Sequence, residues 1–521
     1  MRYEWPDRNV ALHPGKMATA PTHMGRSHSI NAPNTTSLTR IFPRLAVLFL
    51  AVLAGCGDQY RPVVTPVNPT GPAPQPTSFV VVTTTAGNTS PGLGNVFDGS
   101  GGALLRQVLL GSGPLAAALN SGGTQATNSN FDSTLNSYNP GSTTLETNQV
   151  LSSTLVQPGQ TTVQPINLLS TTSNLFVALP NVPAAAILSN TNGINQLIQQ
   201  LPLAASPINF AGNSNAQRIY AISQDNGSNT VAFGKCENPT QVSTPGEVEA
   251  IELATLTKSA TLPVGICPVY GIASTDNNRT FILNRGSGTV TVINSQLNQL
   301  DNTPNLQNIN PATGTLTLPA PAGHTGPFNA GPVFADYYAP SSQLVTANYD
   351  SNTVSVINVG LDLYGNDTAA FGQTVTIPVG NGPTALTILR DGSRAYVANQ
   401  NDSTVSVVNL TTFQVEATIP VTGHPISIAS IYSTPFGQIF VLASDQPYMT
   451  VIRTDTDQVN AVIQLDGTGV DVHASTQVAG TSALGVNAGA INLSHSSGSG
   501  SPCGYCAPCY STTPPCSSPT L

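Results

Sequence analysis

The sequence predicts an all-β fold, a propeller of four-stranded blades, and three observations carry that prediction. An eleven-residue phrase returns three times: Asn284 to Asn294 (NRGSGTVTVIN), Asn348 to Asn358 (NYDSNTVSVIN) and Asn399 to Asn409 (NQNDSTVSVVN). Each copy follows a short apolar strand, at Thr280–Leu283, Leu344–Ala347 and Ala395–Ala398. Strand, polar turn and second alternating strand make a β-hairpin, and its recurrence with flanking strands marks a propeller, one repeat per blade. The third observation is composition. Charged residues are only 8% of the 521, against about 25% in ordinary globular chains. Few Glu, Lys and Arg remain to favour helices. Gly (46) and Pro (42) exceed the average share without reaching the roughly 25–30% that signals disorder.

The N-terminus reads as an export signal. After Arg40 and Arg44 comes Leu45 to Leu53 (LAVLFLAVL), then Ala54-Gly55-Cys56. A positive flank, a short apolar core and small residues at the cut describe a secretory signal peptide, too short to span a bilayer. Leu53-Ala54-Gly55-Cys56 resembles the lipobox of bacterial lipoproteins. That resemblance implies cleavage before Cys56, a diacylglyceryl group on its thiol and acylation of the new amine. Residues 1–55 are the expected leader, with Met24 as an alternative start that leaves a more usual leader length. Removing them lowers the basic residues from 16 to 10 and the acidic from 25 to 23, a net charge near −13. Such a surface repels phosphate backbones, and no basic patch interleaved with aromatics is present, so nucleic acid is not an expected partner.

Residues 56–77 are rich in Pro, Thr and Val and read as an extended tether. A first strand is expected at Phe79–Thr84. Residues 85–152 are rich in Gly, Asn, Ser and Thr; their one apolar patch, Ala103–Leu110, fits either a short helix or a strand. Blades become legible later. Leu175–Leu179 and Ala184–Leu188 are the central strands of one. The next opens at Pro207 and has strands Arg218–Ile222, Val248–Leu253 and Leu256–Leu262 around a long insertion at 224–246. Others open near Pro268, Pro332 and Pro383, and a degenerate copy opens at Pro425. Within the unit opening at Pro383, Thr384–Leu389 is the expected innermost strand and Ala395–Ala398 the second. Asp391-Gly392 supplies the positive φ of the turn between them. The propeller is expected over 78–466, clearest over 207–466, and 467–521 as a Gly/Ser-rich tail with a cysteine cluster.

The unit from Gly380 to Pro425, with its strand Arg394-Ala395-Tyr396-Val397-Ala398-Asn399, resembles the YVTN-type β-propeller repeat. That resemblance implies a ring of seven four-stranded blades. It is specific for fold and weak for function, since such propellers serve binding, scaffolding and several chemistries. The recurrent asparagines read as turn caps, with a ligand role as the alternative.

Seven cysteines less a lipidated Cys56 leave six, an even number suited to an oxidising compartment. Cys236 lies in the long insertion and Cys267 at the next blade opening, a pair able to staple the loop down. Tail cysteines Cys503, Cys506, Cys509 and Cys516 leave disulfides, a thiolate site or free thiols open. No G-x-S-x-G elbow is present and no histidine pair stands at metal-ligand spacing. Of the histidines beyond the leader (His324, His424, His473, His495), His324 and His424 each follow a glycine shortly before a blade opening and are expected on one rim, as two solvent-exposed loop histidines or, alternatively, a metal or proton site. Acid–base work would fall to Asp336, Asp350, Asp391 or Asp402; the last two are explained by turn chemistry. No cofactor, metal site or catalytic residue is expected.

Two functional classes follow. The first is a lipid-anchored, extracytoplasmic propeller of the bacterial cell envelope, binding or scaffolding a protein, glycan or small ligand. The alternative is an enzyme of the lactonase or quinoprotein-dehydrogenase type, which requires acidic, Asn or His side chains converging from several inner strands. The inner strands at Thr384–Leu389 and Ile426–Ser430 offer mainly hydroxyls and aliphatics.

Overall fold

The computed structural model describes residues 78–475, apart from 101, 121–122, 142–150, 190–194, 214–215, 227–243, 303–307, 326–327 and 432–436. The described strands form eight antiparallel sheets. Seven are continuous in sequence and open with the inner strands Pro114–Leu119, Asn167–Ser170, Pro207–Ala211, Pro268–Ala273, Pro332–Tyr338, Pro383–Ile388 and Pro425–Ile431. These sheets are numbered blades 2 to 8. Blade 1 takes its three outer strands from the N-terminal side, Phe79–Thr85, Pro91–Asp98 and Leu104–Ser112, and its inner strand, Thr468–Ala474, from the other end of the chain. Each inner strand packs on the next around the full circle.

The expectation of seven blades is therefore corrected to eight. Two stretches account for the difference. Residues 91–154 hold outer strands of blade 1 and all of blade 2, in sequences such as Ala126–Asn130 (ATNSN) and Thr134–Tyr138 (TLNSY), whose polar character hides a strand. The ring also continues past residue 466 to Ala474.

Each blade meanders outward from the axis, so its inner strand runs from one rim to the other. In most blades a proline opens that strand, defining a proline rim. Pro pairs with the second strand, and the register then slips by one residue between Pro and the position two further on, as in Pro207/Asn209, Pro268/Tyr270, Pro332/Phe334, Pro383/Ala385 and Pro425/Ser427. A proline has no N–H for the ladder, and a bulge is where a strand tolerates that. The residue before it adopts left-handed backbone at Gly113, Cys267, Gly331 and Gly382. Glycine does so freely, and Cys267 is the exception.

Middle strands are buried along their whole length, as at Arg279–Asn284 and Gln438–Ala443, because each sheet has a neighbour on both faces. The third strands of the repeated units, Thr289–Asn294, Thr353–Asn358 and Thr404–Asn409, alternate apolar residues with hydroxyls and amides, which must pair internally where they are buried. The repeated phrase does this. Asn284 donates its amide to Thr289 and Thr291 (3.1 and 2.8 Å), Asn348 to Thr353 and Ser355 (3.0 and 2.8 Å), and Asn399 to Thr404 and Ser406 (3.1 and 2.8 Å). The opening asparagine of each copy thus clamps two hydroxyls across the hairpin. The closing asparagine caps its turn: Asn294, Asn358 and Asn409 accept from backbone N–H groups two or three residues on.

Blades are stapled together at both rims. At the rim opposite the prolines, an arginine opening the second strand reaches the next blade. Arg218 bonds the Ser295 carbonyl, Arg279 pairs with Asp367 (2.7 Å), and Arg394 pairs with Asp457 (2.7 Å). This is the arginine rim. At the proline rim Arg285 holds Asp350 of the next blade through two hydrogen bonds (2.8 and 2.9 Å), stacked between Phe328 and Tyr349. Both partners are buried.

A chain ending after Ser475 keeps a sharp thermal transition, whereas one ending after Asp466 loses it, because the arc is left with an uncovered apolar face and an open strand edge. Arg285→Met leaves Asp350 buried without its partner and destabilises by about 3–5 kcal/mol, while adding Asp350→Leu restores most of the loss; denaturant melts of the two variants test this.

Candidate functional site at the propeller hub

In a propeller, side chains from several blades converge along the axis. The inner strands present Asp336, Asp471, His473, Ser427, Tyr270 and Asn209 there, buried without exception. Each inner strand pairs with only one partner strand, so its other edge carries N–H and C=O groups that a buried hub cannot leave to water. Polar side chains from a neighbouring blade supply the missing bonds. Asp336 of blade 6 accepts from Tyr337 N (2.8 Å) and from Ile388 N of blade 7 (2.9 Å). Thr384 of blade 7 donates to the Pro425 carbonyl of blade 8 (3.2 Å). Ser427 of blade 8 donates to Asp471 of blade 1 (3.1 Å) and accepts from Val472 N. Asp471 accepts from Ala117 N of blade 2 (3.2 Å) and meets His473 Nε2 at 2.9 Å. Asn209 of blade 4 donates to the Val269 carbonyl of blade 5.

Burial shapes the electrostatics. Asp336, 2% exposed, has its carboxyl pushed up to about 6 by desolvation, opposed by the two backbone N–H groups. The Tyr270 hydroxyl is raised by burial and further by Asp336 and Asp471. For His473 burial disfavours the imidazolium, but the Asp471 carboxylate and its hydrogen bond outweigh that and raise the group above its ordinary value. The Ser427 proton points to Asp471, and His473 contacts the same carboxylate. The serine donates to the carboxylate and not to the imidazole, so the arrangement lacks the Ser–His hydrogen bond of a nucleophilic triad.

The other candidates occupy separate places. Asp350 is the partner of Arg285. Asp391 accepts from Ser393 N and Oγ (3.0 and 2.7 Å), and Asp402 from Asn381 N (2.5 Å). His324 bonds the Phe328 carbonyl (2.9 Å), and His424 lies 3.8 Å from Asp445. Both precede inner strands on the proline rim, yet each is engaged within its own surroundings. Among the described residues no three His, Cys, Asp or Glu side chains gather as a metal site. Cys267 is fully buried at its blade opening. Its expected partner Cys236 lies outside the described residues, as do Cys56, His495 and the tail cysteines Cys503, Cys506, Cys509 and Cys516. At the arginine rim a small crevice of about 10 Å³ between blades 4 and 5 is lined by Gln217, Arg218, Thr280, Ser295 and Gln296. Arg218, which bonds the Ser295 and Gln296 carbonyls, lies in its wall.

Sequence reasoning missed Asp471 and His473, having placed them in the tail. The signal was present in Gly469-Val-Asp-Val-His-Ala474, whose Val470 and Val472 alternate with polar residues as a half-buried strand does.

No protein-family model and no curated protein matches the chain. Among solved structures, apo AztD from Citrobacter koseri is similar over 76% of this chain and 97% of its own, with 11% identity and a TM-score of 0.51. The dihydro-heme d1 dehydrogenase NirN is similar over 78% of this chain and 77% of its own, with 12% identity and a TM-score of 0.50. At such identities the likeness shows a shared β-propeller fold and nothing about chemistry.

Asp336 provides a test of the hub. Its folded pKa is raised, so its contribution to stability is complete below the unfolded value of about 3.8 and is lost as pH rises through about 6. Asp336→Asn removes that dependence. Between pH 4 and pH 7.5 the stability difference should move in the variant's favour by about 2 kcal/mol, read from melts of both proteins.

Proposed function

We propose that this chain is an exported, lipid-anchored propeller of the bacterial cell envelope that acts as a binding or scaffolding module for a protein, glycan or small ligand. The observation that carries the binding reading is the state of the hub. Asp336, Asp471 and His473 are 2%, 1% and 8% exposed; the two carboxylates bond across to neighbouring blades, and His473 bonds Asp471 on its own strand. A lactonase or quinoprotein-dehydrogenase chemistry would instead need such groups open to a substrate. Recognition then falls to rims and loops, where binding residues commonly sit on a rigid frame.

The anchor is read from Leu53-Ala54-Gly55-Cys56. Two or more acyl chains give stable attachment where a single chain binds only marginally. The described residues contain no helix long and apolar enough to cross a membrane. An export route also suits pairing of Cys236 with Cys267. Cys267 sits in a turn set by the ring, a fixed anchor for the insertion.

Intact-mass analysis of protein extracted from the envelope tests this reading. Cleavage before Cys56 with a multi-acyl adduct is expected, and Cys56→Ser should abolish both. A soluble wild-type protein with a different N-terminus would overturn it.

A further inference from the structure

The exposed apolar side chains are not spread evenly over the ring. Ten large ones stand exposed among the described residues. Eight lie either in turns between third and fourth strands or within the first three residues of a fourth strand. Both places are at the arginine rim. Leu297 is 66% exposed in the blade 5 turn, and Leu104, Val375 and Val459 begin fourth strands. The most prominent are Leu363 (fully exposed) and Tyr364 (88% exposed), at the tip of an insertion in blade 6.

That insertion is built, not loose. Asp362 Oδ1 accepts from Tyr364 N and Asn366 N (2.8 and 2.9 Å), and Asp362 N donates to the Asn366 carbonyl (2.7 Å). Leu361 pairs with Asp367, and the Asp367 carboxylate is fully buried against Arg279 of blade 5. The loop is thereby fixed at both the tip and the base. Two apolar side chains are held out into solvent with their ordering already achieved, an arrangement that an uncovered protein surface does not need.

The chain's own path bears on which surface this rim faces. The described chain enters the ring at Phe79, which starts the second strand of blade 1. Val80 pairs with Ala474, at the end of the inner strand, so this entry point is on the arginine rim. The residues before it are the Pro-rich stretch leading back to Cys56, whose greatest possible span is about 80 Å.

We propose that the arginine rim faces the bilayer and that Leu363 and Tyr364 insert into its interfacial layer. This rests on the anchor at Cys56 proposed above. Tyrosine suits this depth, with an apolar ring and a hydroxyl left among the headgroups. The acidic chain makes a zwitterionic surface the fitting one, because an anionic surface would repel it.

Trp5 is the only tryptophan in the sequence and lies in the leader, so Tyr364→Trp places a single indole reporter in the processed chain. The full-length gene is expressed, and the envelope-extracted protein is mixed with phosphatidylcholine vesicles carrying brominated acyl chains. The indole emission of this variant should shift to the blue, be quenched by the bromine and lose accessibility to iodide. Gln446→Trp, at an exposed position on the proline rim, should show none of these changes. The acyl mass of the same sample reads the anchor separately. An unacylated Tyr364→Trp protein whose indole still enters vesicles at millimolar lipid overturns the anchor and keeps the insertion. An indole that stays open to iodide in the acylated, vesicle-bound variant overturns the insertion and keeps the anchor. An unacylated variant whose indole stays open to iodide at that lipid concentration overturns both.

Discussion

The free edge of the inner strand is the constraint on which the rest of the structure depends. A four-stranded sheet satisfies its backbone everywhere except along its two outermost edges. The outer edge meets water. The inner one lies in the hub, where desolvated N–H and C=O groups without partners would each be expensive. Closing eight sheets around an axis brings every inner strand against a neighbour, which can then lend side-chain acceptors and donors across the gap. Asp336, Thr384, Ser427, Asp471 and Asn209 are those loans. Carboxylates suit this task because each has two oxygens and can accept from its own strand and the next at once, as Asp336 does from Tyr337 N and Ile388 N.

Further out, the same logic explains why so much of a buried sheet is hydroxyl and amide. With neighbours on both faces, a middle or third strand has no wet side, so the polar half of an alternating pattern must be satisfied internally. The asparagine clamp does so with one residue for two hydroxyls. The arginines at the opposite rim and the Arg285–Asp350 pair act between blades instead of within one. The ring thus has polar locks at its hub, inside its sheets and at both rims, with apolar packing between them.

Much of this was legible in the sequence. The eleven-residue phrase and its preceding strand identified the blade, Pro383 marked its opening and Asp391-Gly392 its first turn. The blade number was not legible. Blade 2 carries strands such as ATNSN, which a hydrophobic period cannot reveal because its polar residues pair with one another once buried. Blade 1 is split, and no local pattern says that Thr468–Ala474 belongs with Phe79–Thr85. The hub was obscured for a related reason. The inner strands Thr384–Leu389 and Ile426–Ser430 are rich in hydroxyls and aliphatics, while Asp336 and Tyr270 lie in others and Asp471 and His473 lie just ahead of a Gly/Ser-rich tail. Bridging between blades is a tertiary fact, set by which strand follows which around the circle.

The split first blade has a bearing on how the molecule comes into being. Thr468 bonds Thr85 across 383 positions of chain, and a chain threaded from its N-terminus delivers these two ends at opposite times. The strand Phe79–Thr85 therefore waits, with one side unpaired, until nearly everything else has emerged. An unpaired strand invites any passing strand to join it, and contacts this distant in sequence form slowly. Completion of the circle is thus a late, all-or-none event in biogenesis, and the interval before it is when the newborn chain is most exposed to mispairing.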